Sequence, residues 1–197
     1  MIPGNNSILV ISDSHGNVAA LTAALTWASQ LQLKENSYFS SAIFLGDGEG
    51  DLISACTESG FNMPWHIVRG NSDFDYTIPK HRIIDLPGLY HSSENEIPAR
   101  KLFLAHGSNH SVKEDLRIIA AAAKAFGAEA ALFGHTHIHH CSMLDGIFLL
   151  NPGSIGRPRT NYGPTFAVLE CQPGKPLEVH FYYLARNSGS IVVKELF

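Results

Sequence analysis

This sequence predicts an α/β fold with two packed β-sheets, and three observations carry the prediction. Up to about residue 139, apolar runs of three or four residues alternate with stretches of helical apolar spacing. Five of these runs end beside glycine and polar residues. Past that point the chain holds only strand-like runs parted by Pro and Gly, which calls for a second sheet packed against the first.

Ile8 to Ile11 reads as a buried strand. Val18, Leu21, Ala24, Leu25, Ala28 and Leu31 recur at helical spacing, with Asn17 as the N-cap. Ala42 to Leu45, His66 to Val68 and Leu102 to Ala105 are three further strands, stopping at Gly46, Arg69-Gly70 and His106-Gly107. A second helix is expected from about Val112 to Phe126, with Gly127 in its C-terminal turn. Ala130 to Phe133 is a fifth strand, ending at Gly134. Asp145-Gly146 then marks a turn between His140–Leu144 and Ile147–Leu150. Thr165 to Glu170, Leu177 to Leu184 and Ile191 to Val193 complete the strands. Asn36 to Ser41 and His91 to Arg100 read as loops.

A length of 197 residues is that of one domain, so residues 1–197 are expected to form a single one. With 45% hydrophobic and 16% charged residues there is material for a core, which excludes a disordered chain. A net charge of −4 argues against duplex nucleic acid as partner, since such proteins carry a basic stripe. Three separated cysteines (Cys56, Cys141 and Cys171) suggest neither a disulfide framework nor a thiolate zinc site, and they fit reduced thiols in the cytoplasm. The amino terminus lacks a basic n-region, and no apolar run approaches the ~20 residues of a membrane span, so neither a signal peptide nor a membrane partner is expected.

The chemistry lies in the residues just past the five strands: Asp13-Ser14-His15-Gly16, Gly46-Asp47, Gly70-Asn71-Ser72-Asp73, His106-Gly107 and Gly134-His135-Thr136-His137. Ligands bind at the carboxyl ends of strands in α/β sheets, so Asp13, His15, Asp47, Asn71, His106, His135 and His137 should converge on one crevice. Asp13 and His15 are two apart, as are His135 and His137, and each pair could project to one side of an extended segment. Oxygen and nitrogen donors without sulfur suit Mn²⁺, Fe, Zn²⁺ or Ni²⁺ over Ca²⁺ or an iron–sulfur cluster. Seven ligands exceed one tetrahedral metal. They suit two metals ~3.5–4 Å apart, bridged by a carboxylate, as used for displacement at phosphorus.

The series Asp-x-His, Gly-Asp, Gly-Asn-x-Asp, His-Gly, Gly-His-x-His resembles the calcineurin-like metallophosphoesterase superfamily, and within it the small YfcE-like phosphodiesterase branch. Asp47-Gly48-Glu49-Gly50-Asp51, Val112-Lys113, Asn151-Pro152-Gly153-Ser154 and Arg157-Pro158-Arg159 extend the resemblance over roughly residues 7 to 160. It implies a four-layer α/β/β/α sandwich and two divalent cations, Mn²⁺ first. One would be held by Asp13, His15, Asp47 and His137. The other would be held by Asp47, Asn71, His106 and His135, with Asp47 bridging. A water or hydroxide between the cations would attack phosphorus in line, and Asn71 would donate to a phosphoryl oxygen. Asp47, Asn71 and Asp73 form the expected catalytic group, Asp73 by orienting a ligand or loop. Arg157 and Arg159 are candidates for binding the substrate phosphate.

Two departures stand out. Many relatives carry a histidine after Gly-Asn that can protonate the leaving alkoxide; here the residue is Ser72, which favours good leaving groups such as aryl phosphodiesters. Relatives often have a histidine where Ser108 stands, leaving open whether His110 substitutes for it. His66, His81, His91, His139, His140 and His180 read as structural, and Trp27 and Trp65 as core. The expected function is phosphoester hydrolysis on a small molecule. A metal-binding interaction scaffold on the same fold, as in the retromer subunit, is the alternative. A repair-type nuclease is disfavoured by size and charge. An exposed second-sheet face leaves room for a homodimer.

Overall fold

The computed structural model describes residues 7–35, 39–86, 100–172, 175–187 and 190–196. In chain order the first elements are β1 (Ser7–Ile11), α1 (Val18–Glu35), β2 (Phe39–Phe44), α2 (Glu49–Ser59), β3 (Trp65–Ile67), β4 (His81–Leu86) and β5 (Arg100–Ala105). The remainder are α3 (Leu116–Ala125), β6 (Ala130–Leu132), β7 (His139–Leu144), β8 (Ile147–Pro152), β9 (Thr165–Glu170), β10 (Glu178–Asn187) and β11 (Ser190–Glu195). One sheet has the order β11-β10-β9-β1-β2-β3 and the other β4-β5-β6-β8-β7. Both are mixed. β1, β2 and β3 run parallel, as do β5, β6 and β8, while β9, β4 and β7 run antiparallel to their neighbours.

Side-chain alternation along the strands sorts the core into three slabs. Leu9 and Ile11 of β1 face α1 and α2, meeting Leu21, Leu25 and Leu52. Ile8 and Val10, one residue out of phase, face the second sheet and meet Leu102, Leu104, Leu132 and Leu150. On the far side of the second sheet, Phe103, Ala131 and Leu149 pack on Ile119, Ala120 and Ala123 of α3. Both faces of β1 and β5 are thus covered, which is why those segments read as unbroken apolar runs. Each fully buried Leu, Ile or Val contributes on the order of 1.5–3 kcal/mol. The expected α/β/β/α layering is the one the chain adopts.

Several local expectations need correction. The five strands preceding the ligand motifs do not form one sheet: β1, β2 and β3 lie in the first, β5 and β6 in the second. The all-strand remainder divides likewise, β7 and β8 joining the second sheet and β9 to β11 the first. The helix expected from Val112 begins at Leu116, because Asp115 turns extended (φ −151°) and caps it, accepting from Arg117 N. Residues 39–41, expected to be loop, are the start of β2. Residues 36–38 and 91–99 of the expected loops lie outside the described residues, and Arg100 opens β5. Neither α2 nor β4 was anticipated.

Candidate metal centre

The carboxyl ends of β1, β2 and β3 from one sheet and β5 and β6 from the other open at the same edge of the sandwich. There the chain leaves each strand abruptly. Asp13 (φ 57°), His15 (φ 45°), Asp47 (φ 60°), His135 (φ 65°) and His137 (φ 62°) all take left-handed backbone conformations. The pairs two apart therefore converge through kinked backbone and not along an extended segment. Left-handed conformations are costly for residues with a Cβ and cluster at functional sites. The glycines beside the motifs serve close approach: a Cβ on Gly70 would lie 2.1 Å from Asp47 Oδ1, and one on Gly134 would lie 2.5 Å from Asp13 Oδ2.

Asp13, Asp47 and His106 are buried, with relative exposures of 0%, 2% and 2%. Asp13 Oδ2 accepts from Ser12 Oγ and from His135 N at 3.1 Å. Its Oδ1 accepts no hydrogen bond among the described residues. Near that orphan oxygen stand His137 Nε2 at 3.1 Å and His15 Nε2 at 3.7 Å, with 3.2 Å between the two nitrogens. Asp47 Oδ2 lies 3.6 Å from His15 Nε2 and 3.4 Å from His106 Nε2, so this carboxylate stands between the two halves of the cluster. His106 Nε2 is also 3.1 Å from Asn71 Oδ1. His135 reaches the group through its ring, edge-on to His106 with centroids 5.1 Å apart.

The backbone sets the tautomers. His106 Nδ1 lies 2.7 Å from Leu45 O, and His137 Nδ1 lies 2.7 Å from Arg157 O. A carbonyl only accepts, so both Nδ1 atoms carry hydrogen and both neutral rings present an Nε2 lone pair to the cluster. Lone pairs of Asp13, His15 and His137, and of Asp13, Asp47 and His106, converge within 4.8 Å in two groups. Acceptors facing acceptors in a buried site call for positive charge between them. The electrostatics show the same demand for positive charge, which a proton on His106 meets when no cation does. Burial pushes the Asp13 carboxyl upward, but the imidazoles of His137 and His15 hold it well below the usual carboxylate range. Burial likewise raises Asp47 and the His106 imidazole overrides it. His106, which burial would lower, is raised by the carboxylates of Asp47 and Asp13. His135 is lowered to about 4, by burial and then by the charges of His106 and Lys113. These donors fit divalent cations of the Mn, Fe, Zn, Ni type.

Around this cluster the backbone is pinned. Asp73 Oδ2 accepts from Asp47 N and Gly70 N, each at 2.8 Å, and Oδ1 accepts from Gly48 N at 2.7 Å and Glu49 N at 3.3 Å. With four amides to hold, Asp73 positions the Asp47 loop. Ser154 Oγ donates to Asp13 O and accepts from Arg157 N, and Arg159 N donates to His137 O. This brings Arg157 and Arg159 to the cluster. A cleft of about 330 Å³ opens above it, lined by those arginines, Lys113, Asn71, Ser72, Asp47, His15, His135 and His137. Ser72 Oγ donates to Asp47 Oδ2 at 3.1 Å. His110 does not line the cleft; its ring stands edge-on to Phe103. Lys113 is the residue that sequence reasoning passed over. Its signal was the Val112-Lys113 pair after His106-Gly107, which extended the resemblance but was given no role. Outside the site, Trp27 packs on Phe166 and Tyr182, and His139 on Tyr162 and Phe181. His91 lies outside the described residues.

A family model for the calcineurin-like phosphoesterase superfamily domain matches residues 7–174. The chain belongs to the calcineurin-like phosphoesterase superfamily. A relative in this superfamily, the probable metallophosphoesterase YsnB of Bacillus subtilis (strain 168), is 30% identical over 182 residues, 92% of this chain and 93% of that one. A conserved uncharacterized protein of Streptococcus pneumoniae TIGR4, described as a predicted phosphoesterase, shares the fold with a TM-score of 0.66 at 20% identity over 98% of each chain. Wild-type Vps29 of Entamoeba histolytica complexed with Zn²⁺ does so with a TM-score of 0.63 at 19% identity, over 96% of this chain and 98% of that one. At such identities the two structures speak to the fold alone.

Proposed function

We propose that this calcineurin-like phosphoesterase hydrolyses phosphodiester bonds of small molecules with two divalent cations, Mn²⁺ first. One observation carries the proposal: His106 and His137 commit their Nδ1 hydrogens to backbone carbonyls and aim bare Nε2 atoms at buried Asp47 and Asp13. In this reading Asp13, His15, Asp47 and His137 hold one cation, and Asp47, Asn71, His106 and His135 the other. Cations there would supply Lewis-acid charge to the phosphoryl oxygens and make water acidic enough to attack at neutral pH. The chain's own residues do the rest. Arg157 and Arg159 reach the substrate phosphate from the cleft wall, and Asn71 offers its amide to a phosphoryl oxygen. Asp73 fixes the loop that carries Asp47. Ser72 has its hydroxyl on Asp47 and is a poor acid, so a leaving group must depart without protonation from it. This favours aryl diesters over alkyl monoesters. The free thiols of Cys56, Cys141 and Cys171 suit a cytoplasmic setting.

The test is metal content by mass spectrometry, paired with hydrolysis of a bis-aryl phosphodiester by protein reloaded with Mn²⁺. About two metals per chain, with turnover reduced ~100-fold or more in Asp47→Asn and His135→Ala, is the expected outcome. Full occupancy without turnover on any phosphoester would transfer the proposal to a metal-binding interaction scaffold. Absence of metal and turnover together would overturn both readings.

A further inference from the structure

The cleft carries more positive charge than a phosphodiester can use. A diester has one negative charge at phosphorus, and two divalent cations facing Asp13 and Asp47 already exceed it. Lys113, Arg157 and Arg159 then line the same cleft, where Asp47 is the only carboxylate among the described lining residues. None of the three pairs with a carboxylate among the described residues. This stands out in a chain whose net charge is −4. Among the described residues, no aliphatic residue and no Phe, Tyr or Trp lines the cleft, so the carbon surface open to the ester substituents of a substrate comes only from the histidine rings and the stems of polar side chains.

The three cations come from two directions. Arg157 and Arg159 ride on the loop after β8, whose backbone is bonded to Asp13 and His137. That loop lies tight on the strand end of β1: Gly156 N donates to Asp13 O at 3.0 Å and Ile155 N to Ser12 O at 3.1 Å, and a Cβ on Gly156 would collide with Ser14 O. Lys113 comes from the turn after His106, the other half of the cluster. Its neighbour Val112 is buried against Gly107, while Ser111 O accepts from Glu114 N and Asp115 N. Both carriers are held by packing and hydrogen bonds, so the cations flank the cleft before any substrate enters.

Resting on the dimetal reading above, we propose that the substrate carries a second phosphate group besides the ester that is cleaved, and that Lys113, in the same cleft as Arg157 and Arg159, is the specificity residue that recognises it. Charge-assisted hydrogen bonds to a phosphate are short and strong, and three cations in one cleft favour a compact polyanion. Lys113 acts on affinity for that group, not on the reacting phosphorus.

The experiment uses matched probes on the Mn²⁺-loaded full chain after removal of free metal. Calorimetry compares thymidine 3′,5′-bisphosphate with thymidine 3′-phosphate. Turnover compares the p-nitrophenyl ester of the 3′-phosphate with and without the 5′-phosphate. Wild type should bind the bisphosphate at least about tenfold more tightly and show the same preference in kcat/KM. Lys113→Ala should lose most of that preference while changing metal content and kcat on the unphosphorylated ester less than about twofold. Lys113→Arg should keep it. Hydrolysis of both esters with equal affinities would overturn the second-phosphate proposal and leave the phosphodiesterase reading intact. A bisphosphate preference that Lys113→Ala abolishes, without turnover of either ester, would uphold it and fault the catalytic reading. A preference untouched by Lys113→Ala would overturn the role of Lys113.

Discussion

His15 illustrates how the site is built against local preference. Its φ of 45° costs roughly 1–2 kcal/mol for a residue with a Cβ, yet that kink brings Nε2 to within 3.7 Å of Asp13 and 3.6 Å of Asp47. Glycine in its place would relieve the strain but add ~0.5–1 kcal/mol of unfolded-chain entropy. His15→Gly relieves that strain but also removes an imidazole that holds the buried Asp13 carboxyl low, so the two effects oppose each other and the Tm of the metal-free protein should change little while metal content falls. Metal content unchanged in His15→Gly would show that His15 is not a ligand. The thiols give a second, independent check. Burial pushes Cys171 up to about 12, whereas Cys141 is exposed. An alkylating reagent at pH 7.5 should modify Cys141 readily and Cys171 only after denaturant is added, as mass spectrometry of the peptides would report.

Helices and strands were legible where a single periodicity ruled. Val18 to Leu31 repeats at three and four and is α1, and Thr165–Glu170 alternates into two cores and is β9. α2 escaped because Glu49-Gly50-Asp51 opens it with no capping side chain, and among its described residues only Leu52 and Ala55 are buried. β4 escaped because it is a sheet edge, with His81, Arg82 and Asp85 exposed. The start of α3 was misplaced because apolar Val112 belongs to the turn, where it packs under Gly107, and the cap is Asp115. Asp115→Ala should lower the denaturant midpoint of unfolding, because α3 loses its capping side chain. An unchanged midpoint would mean that the Asp115 bond to Arg117 N contributes nothing to α3.

Across the sandwich, ligands from both sheets meet at one edge, so a cation held there ties β1, β2 and β3 to β5 and β6. Anything that binds the folded state alone raises its stability by mass action. Chelation should therefore lower the Tm of the wild type by several degrees and readdition of Mn²⁺ should restore it, while Asp47→Asn should respond much less. Equal shifts in both proteins would place the stabilising cation elsewhere. No described helix is long and apolar enough to cross a membrane.

The candidate ligands could be named from residue types alone, because oxygen and nitrogen donors beside glycine after five apolar runs leave few other uses. The α/β character was equally local, written in periods of two and 3.6 residues. Which sheet each strand joins was not, since pairing depends on register between segments far apart, such as Ile8 beside Leu169. The loop-orienting work expected of Asp73 was legible, but its partners, and the work of Ser154 and Lys113, were not. Asp73 draws its amides from two loops, Ser154 reaches back 141 residues to Asp13, and Lys113 lines a cleft that Arg157, 44 residues on, also lines. Periodicity records a residue's neighbours along the chain, and these three act on partners that only folding brings near.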